Sequence, residues 1–397
     1  RRQRQMCIRD SVAPDAQLLA MKVFSNNGSI KGCYDDGLIA AIEDSVKLGA
    51  NVINMSLGSV SSNVDENDPE QSAVRKASEQ GVLCVISAGN SSVSTSTGSG
   101  NPDQQFDSDE LSTVGAPGIS PEALTVASSE NEKVVSPTMR DASGNVKFDS
   151  IADLTDGSTV INQQETDYAQ MTGEHKVVSV GTGSEDEYDG KDVKGQIALV
   201  KRGAITFSEK ANNARAHGAV GVIIYNNVGT DLISMAIDDK TFPTVGASLA
   251  DGEKLEETAA AGKTINLKFE RQLVTNVSSG KMSDFSSWGP TPALDFKPEI
   301  SAPGGKIYSL ANNDKYQQMS GTSMASPFVA GSEALVLQGI KNRNLGLSGK
   351  ALTTFAKNSV LNTATPMKDK EHTKEIISPR RQGAGPVSYT HLRAHET

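Results

Sequence analysis

An α/β protein is predicted, in which a doubly wound, mostly parallel sheet is interrupted by a smaller β-rich domain. Three observations carry that expectation. From about residue 12 to 129, short apolar runs alternate with stretches whose apolar residues recur at helical spacing. Strands buried on both faces, and the helices that cover them, produce this pattern. Over residues 131–190 it gives way to short, polar, turn-rich segments. Beyond about residue 272 the first texture returns. An insertion at a surface loop explains that order better than domains in series.

Taken in order, residues 17–24 read as the first strand. Asp35 or Asp36 is expected to cap a helix with Leu38, Ile39, Ile42 and Val46 on one face. Gly49 should end it, because glycine accepts the left-handed conformation that closes helices. A strand over 51–57, a helix over 70–80 closing at Gly81, and a strand over 82–87 follow. In the inserted part, residues 196–200 and 220–225 read as strands on either side of a helix over 207–217. Residues 242–245 lead into a helix over 251–260. Residues 184–190 place acidic side chains before Gly190 as a calcium loop does. Gln196 stands where the ligating Glu belongs, so a solvated acidic turn is the better reading.

The balance of charge narrows the partners. With 38 Lys and Arg against 48 Asp and Glu, the net charge of −10 disfavours nucleic acid or an anionic membrane as main partner. No apolar run approaches the roughly 18 residues needed to span a bilayer. Three cysteines, Cys7, Cys33 and Cys84, form no disulfide framework and no CxxC zinc pair. Cys84 lies in the apolar run 82–86 and reads as a buried, inert thiol.

Chemistry concentrates in residues 319–331, Met-Ser-Gly-Thr-Ser-Met-Ala-Ser-Pro-Phe-Val-Ala-Gly. Small residues let a helix start approach other backbone closely. Ser323 would sit in the first turn, where unpaired N–H groups and the helix dipole favour a developing negative charge. On physical grounds alone, a tightly packed helix start with a capping serine explains the segment equally well. Asn90 likewise could be only a turn residue after Gly89.

The same segment resembles the nucleophile motif of the subtilisin-like serine proteases, the subtilases. The resemblance extends through Asn-Val-Ile-Asn-Met-Ser-Leu-Gly at 51–58, Val-Ile-Ser-Ala-Gly-Asn at 85–90, Phe-Ser-Ser-Trp-Gly-Pro at 285–290 and Lys-Pro-Glu-Ile-Ser-Ala-Pro-Gly at 297–304. It implies Ser323 as nucleophile and Asn90 as oxyanion donor. It also implies Ser56, Leu57 and Gly58 pairing with an extended substrate, with Ser87, Ala88 and Gly89 as the opposite pocket wall. Phe328 departs from the family, where a second histidine is common. Residues 194–225 and 242–255 resemble a protease-associated (PA) domain, which implies a role in gating or selecting substrates. Its position, with Arg-Arg-Gln-Gly-Ala-Gly at 380–385, is similar to lactocepin-type cell-envelope proteinases of Gram-positive bacteria.

The expected boundaries are 12–130 and 273–386 for the two parts of the catalytic domain and 131–272 for the PA domain. Residues 1–11 and 387–397 have no family counterpart and read as linker sequence. The family's base and its orienting acid lie in His-Gly-Thr-His-type and Asp-containing motifs that this sequence lacks. None of His175, His217, His372, His391 and His395 has that context. The reading is therefore an internal fragment of a secreted or wall-attached serine endopeptidase acting on protein or peptide, inactive alone. The competing reading is a pseudoprotease that binds through its PA domain. No cofactor is required for the chemistry. Calcium stabilises many members, but no acidic cluster here has ligand spacing, and no metal site is assigned.

Overall fold

The computed structural model describes residues 12–26, 32–60, 62–92, 112–144, 168–203, 205–228, 235, 237, 241–276, 278–311, 315–369 and 375–388. The chain divides into two compact units. One comprises residues 1–132, 276–307 and 319–397, the other 133–275 with 308–318.

The first unit is built on a four-stranded parallel sheet in the order β1-β2-β3-β10. Its strands are β1 (Val52–Met55), β2 (Leu83–Ser87), β3 (Leu124–Glu130) and β10 (Ile300–Gly305). Register is fixed by Val52 opposite Leu83, Val85 opposite Leu124, and Ile300 opposite Val126. Alternation along β2 explains the double winding. Leu83 and Val85 join Ala325, Val329, Ala356 and Val360 on one face. Cys84 and Ile86 join Leu38, Ile42, Val74 and Ala77 on the other. Those residues come from α1 (Asp35–Lys47) and α2 (Pro69–Glu79) on one side. The opposite side is covered by α5 (Thr322–Asn342) and α6 (Gly349–Thr363). Burial leaves Cys84 1% exposed and pushes its thiol up to about 12, so it is an inert thiol.

Two expectations are corrected here. Residues 17–23 form no strand, and Leu18 is 78% exposed. A strand needs a hydrogen-bonded neighbour, and no described strand pairs with this segment. Asp35 and Asp36 do not cap α1. They lie in its first turn, Tyr34 holds the cap position without a side-chain bond, and the acids oppose the positive end of the helix dipole. Where a true cap exists it is local: Asp68 accepts from the Gln71 N–H at 2.9 Å ahead of α2. The left-handed Gly49 and Gly81 follow the two helices.

At the start of β10 the unit buries a charge network. Lys297 donates to Ala123 O (2.8 Å), Thr125 Oγ1 (3.1 Å) and Glu299 Oε2 (2.9 Å). The other oxygen of Glu299 pairs with Lys357 Nζ at 2.5 Å, and the Thr125 N–H adds a bond of 2.8 Å to Oε2. Burial pulls Lys297 down to about 8 against the opposing pull of Glu299. Every proton of the Lys297 ammonium has an acceptor, which is the condition under which a buried ion pair persists.

The second unit holds a six-stranded sheet, β4-β9-β5-β6-β7-β8. The strands β5 (Gly173–Ser179), β6 (Ile197–Lys201), β7 (Gly221–Tyr225) and β8 (Thr244–Ala247) run parallel to one another. The long β9 (Thr264–Thr275) pairs antiparallel with both β4 (Lys133–Asp141) and β5. Helices α3 (Phe207–Ala216) and α4 (Leu249–Ala260) start at Thr206 and Ser248, whose hydroxyls accept the N–H three residues on. A hairpin of β11 (Ile307–Ala311) and β12 (Lys315–Met319) contributes residues 308–318 to this unit. The acidic stretch after residue 183 is a capped turn more than a merely solvated one. Glu187 accepts from the N–H and hydroxyl of both Thr182 and Ser184, which draws its carboxyl down to about 2 despite some desolvation. Tyr188 beside it is buried. Among the described residues no helix is long and apolar enough to cross a membrane.

Glu299→Ala leaves the buried Lys297 ammonium and the half-buried Lys357 ammonium without their carboxylate. The expected cost is about 3–5 kcal/mol of unfolding free energy, measured by urea denaturation of the chain.

Candidate active site

The first unit brings the ends of β1 and β2 against the start of α5. Gly321 holds the cap position of that helix in extended backbone, with Thr322 and Ser323 as its first two residues. Their N–H groups have no acceptor within the helix. The Thr322 N–H finds Asn90 Oδ1 at 3.0 Å, and the Thr322 hydroxyl donates to the same oxygen at 2.9 Å. That hydroxyl also accepts from the Gly89 N–H at 3.2 Å. Thr322, 1% exposed, therefore fixes which way the Asn90 amide points. With Oδ1 held, Nδ2 is turned outward. A Cβ built on Gly321 would lie 3.5 Å from Asn90 Nδ2 and 3.6 Å from the Ser323 nitrogen. Both nitrogens thus border the position that a side chain at Gly321 would take.

A proline shapes the other side of Ser323. Pro327 stands inside α5, four residues after Ser323, and has no N–H for the Ser323 carbonyl. The Ser56 hydroxyl supplies the missing donor at 2.8 Å and lies 3.1 Å from Ser326 Oγ. The Ser323 hydroxyl in turn donates to Ser56 O at 3.2 Å. These reciprocal bonds tie the segment after β1 to the first turn of the helix.

The two expected walls are joined as well. Ser87 Oγ donates to Leu57 O at 3.3 Å, and Ala88 is buried with its N–H on Val126 O. A Cβ on Gly58 would come within 2.9 Å of Ala116 O, so glycine is required by space. Gly89 adopts φ +105° and leaves no room for a side chain, since a Cβ would meet Ser287 Oγ at 2.8 Å. Ser287 holds this turn from outside, accepting from the Ser91 N–H at 3.1 Å and donating its own N–H to Gly89 O.

All eight sequence-selected residues, Ser56, Leu57, Gly58, Ser87, Ala88, Gly89, Asn90 and Ser323, lie in this one unit. Reading the sequence missed Thr322, Ser326 and Ser287 as the groups that orient them. Their hydroxyls act across about 200 residues or more of chain, and only their membership in the matched motifs marked them. Phe328 packs against the core shared with α6. His175 and His217 belong to the second unit and have partners there, Gly195 O at 3.4 Å and Glu185 Oε1 at 3.0 Å. His217 also stacks on Tyr188. His372, His391 and His395 lie outside the described residues. No histidine is found among the described residues of the first unit.

A parallel sheet wound on both faces, with a serine at the start of a glycine-capped helix and an asparagine amide aimed beside it, defines a subtilase-type protein. The profile of the subtilase family matches residues 4–385, and the chain belongs to that family. It is 45% identical to a PII-type proteinase of Lactococcus lactis subsp. cremoris over 95% of this chain, which is 20% of that protein. A PII-type proteinase of Lacticaseibacillus paracasei is 44% identical, with the same coverage. A C5a peptidase of Streptococcus pyogenes is 35% identical over 95% of this chain and 31% of its own length. The chain thus spans a fifth to a third of these relatives. The solved patellamide maturation protease PatA aligns with 96% of this chain and 75% of its own at 16% identity and a TM-score of 0.46.

Thr322→Val keeps the shape of the side chain but removes both its bond to Asn90 and the acceptor of the Gly89 N–H. A loss of about 1–3 kcal/mol in stability is expected, read by urea denaturation.

Proposed function

We propose that this chain is the nucleophile-bearing part of a serine endopeptidase that hydrolyses peptide bonds of extracellular proteins. The observation that carries the reading is the Asn90 amide, locked by Thr322 so that its N–H and the Ser323 N–H face the same space. In the proposed reaction the Ser323 oxygen attacks the scissile carbonyl. The oxyanion that forms is met by Asn90 Nδ2–H, the Ser323 N–H and the positive end of α5. Collapse expels the amine, which leaves with the proton given up by the Ser323 hydroxyl, and water then hydrolyses the acyl-serine to the free acid and restores the hydroxyl. Ser56 to Gly58 and Ser87 to Gly89 form the walls that hold an extended substrate by strand addition.

The hydroxyl of Ser323 donates to a backbone carbonyl, Ser56 O, and not to an imidazole. A serine without a base is a poor nucleophile. Our reading is therefore that this chain does not turn over by itself. The second unit, a mixed sheet with helices after β6 and β8, is read as a PA domain that selects substrate. Extracellular or wall-associated location in a Gram-positive bacterium fits the relatives named above.

Two measurements test this. The first puts residues 12–386 in place of the matching segment of the lactococcal PII-type proteinase. The chimera is expected to cleave peptides, Ser323→Ala to reduce it to background, and Asn90→Ala to lower kcat by about 10²–10³. That last magnitude was measured in subtilisin, a member of the same family, and is borrowed from it. A folded but inactive chimera, or turnover surviving Ser323→Ala, overturns the reading. The second compares this chain alone with its own Ser323→Ala variant. Equal background rates are expected, and serine-dependent turnover would overturn the reading that the chain is inactive alone.

A further inference from the structure

Helix α5 carries a second group with consequences, and it lies away from the site. Glu333 is fully buried, at 0% exposure, and neither carboxyl oxygen has a hydrogen-bond partner among the described residues. An ionised carboxylate in that position would be very costly, whereas a neutral acid costs far less. The nearest source of compensation is Lys357 on α6, whose charge favours ionisation of Glu333. Its ammonium is already spent. It donates to Pro121 O at 3.0 Å and Ala123 O at 2.8 Å, and pairs with Glu299 Oε1 at 2.5 Å.

Among the described residues, the other elements packed on α5 offer nothing better. At the start of β10, Glu299 is itself acidic, and Lys297 has its three protons on Ala123 O, Thr125 Oγ1 and Glu299. From α6, Lys350 points to Glu122 at 3.1 Å. β1, β2 and β3 present Val52, Leu83, Val85, Leu124 and Val126 to this core, all apolar. Glu130 at the end of β3 is bonded to Ser283, and Cys84 belongs to the opposite core. Two buried carboxyl groups therefore share one lysine, and Glu299 holds it.

We propose that Glu333 is a proton-linked switch built into α5, which the folded protein keeps as a neutral acid and whose ionisation weakens the fold. Burial pushes this carboxyl up from its ordinary 4.5 to about 8. The folded state therefore binds the proton more tightly than the unfolded chain. The stability it contributes is whole below 4.5 and is lost as pH rises through about 8. Because Ser323 opens the same helix, the element bearing the candidate site is the one weakened in alkali.

The test is urea denaturation of the full chain across that pH window, beside Glu333→Gln. The ratio of folding constants, variant over wild type, is expected to rise by about tenfold per pH unit and then level off. Parallel pH profiles for the two proteins overturn the proposal. Should the variant not fold, infrared titration of the otherwise intact chain decides. It is done in a Glu70→Gln background, because burial and the neighbouring Asp35 push Glu70 up to about 7. A protonated-carboxyl stretch present at neutral pH and lost past about 8 is expected. No such band at neutral pH refutes the switch.

Discussion

The site depends on one close approach, that of the start of α5 to the ends of the sheet strands. Backbone meets backbone there: the Gly321 N–H donates to Gly304 O at 2.9 Å, and a Cβ on Gly304 would come within 2.6 Å of Gly321 O. A side chain at Gly304 would drive the helix start away from the sheet. Once the approach is made, the unpaired N–H groups of the first turn are delivered to Asn90 and to the open space beside Gly321. A helix start buried in this way needs partners, and the Asn90 side chain is one of them.

Pro327 has a part in the same construction. A proline in the second turn ordinarily disturbs a helix by orphaning a carbonyl. Here the orphan is the carbonyl of Ser323, and Ser56 from the segment after β1 satisfies it. The defect thus becomes a tether between the helix start and the proposed substrate-binding wall. Thr322 and Ser287 do comparable work on the opposite wall, one from the helix and one from the loop before β10. Each holds the Ala-Gly-Asn turn through hydrogen bonds of 3.2 Å or less.

Charge is handled differently in the interior. The Lys297–Glu299–Lys357 network is satisfied by hydrogen bonds from both lysines to carbonyls and to the carboxylate between them. Glu333 lies close enough to feel Lys357 and yet receives no bond. The contrast shows that nearness to a cation is not enough to stabilise a buried carboxylate. What counts is whether a donor is left over.

Much of this protein was legible before any coordinates. The alternation of apolar runs and helical faces determined the winding of the sheet, and Gly49 and Gly81 mark helix ends by local chemistry. The eight candidate residues were picked out by the resemblance of their segments to the subtilase motifs, since on physical grounds alone Ser323 reads as well as a helix cap and Asn90 as a turn residue. Tertiary structure decided the rest. Residues 17–23 carry strand-like sequence but form no strand, because pairing depends on a neighbour that sequence spacing does not reveal. Thr322, Ser326 and Ser287 read as ordinary hydroxyl residues until folding set them against partners. Glu333 carries no distinguishing signal in the sequence, and only folding made it a buried acid. Periodicity is a local property and can be read along the chain, whereas a hydrogen-bond partner hundreds of residues away exists only once the chain has folded.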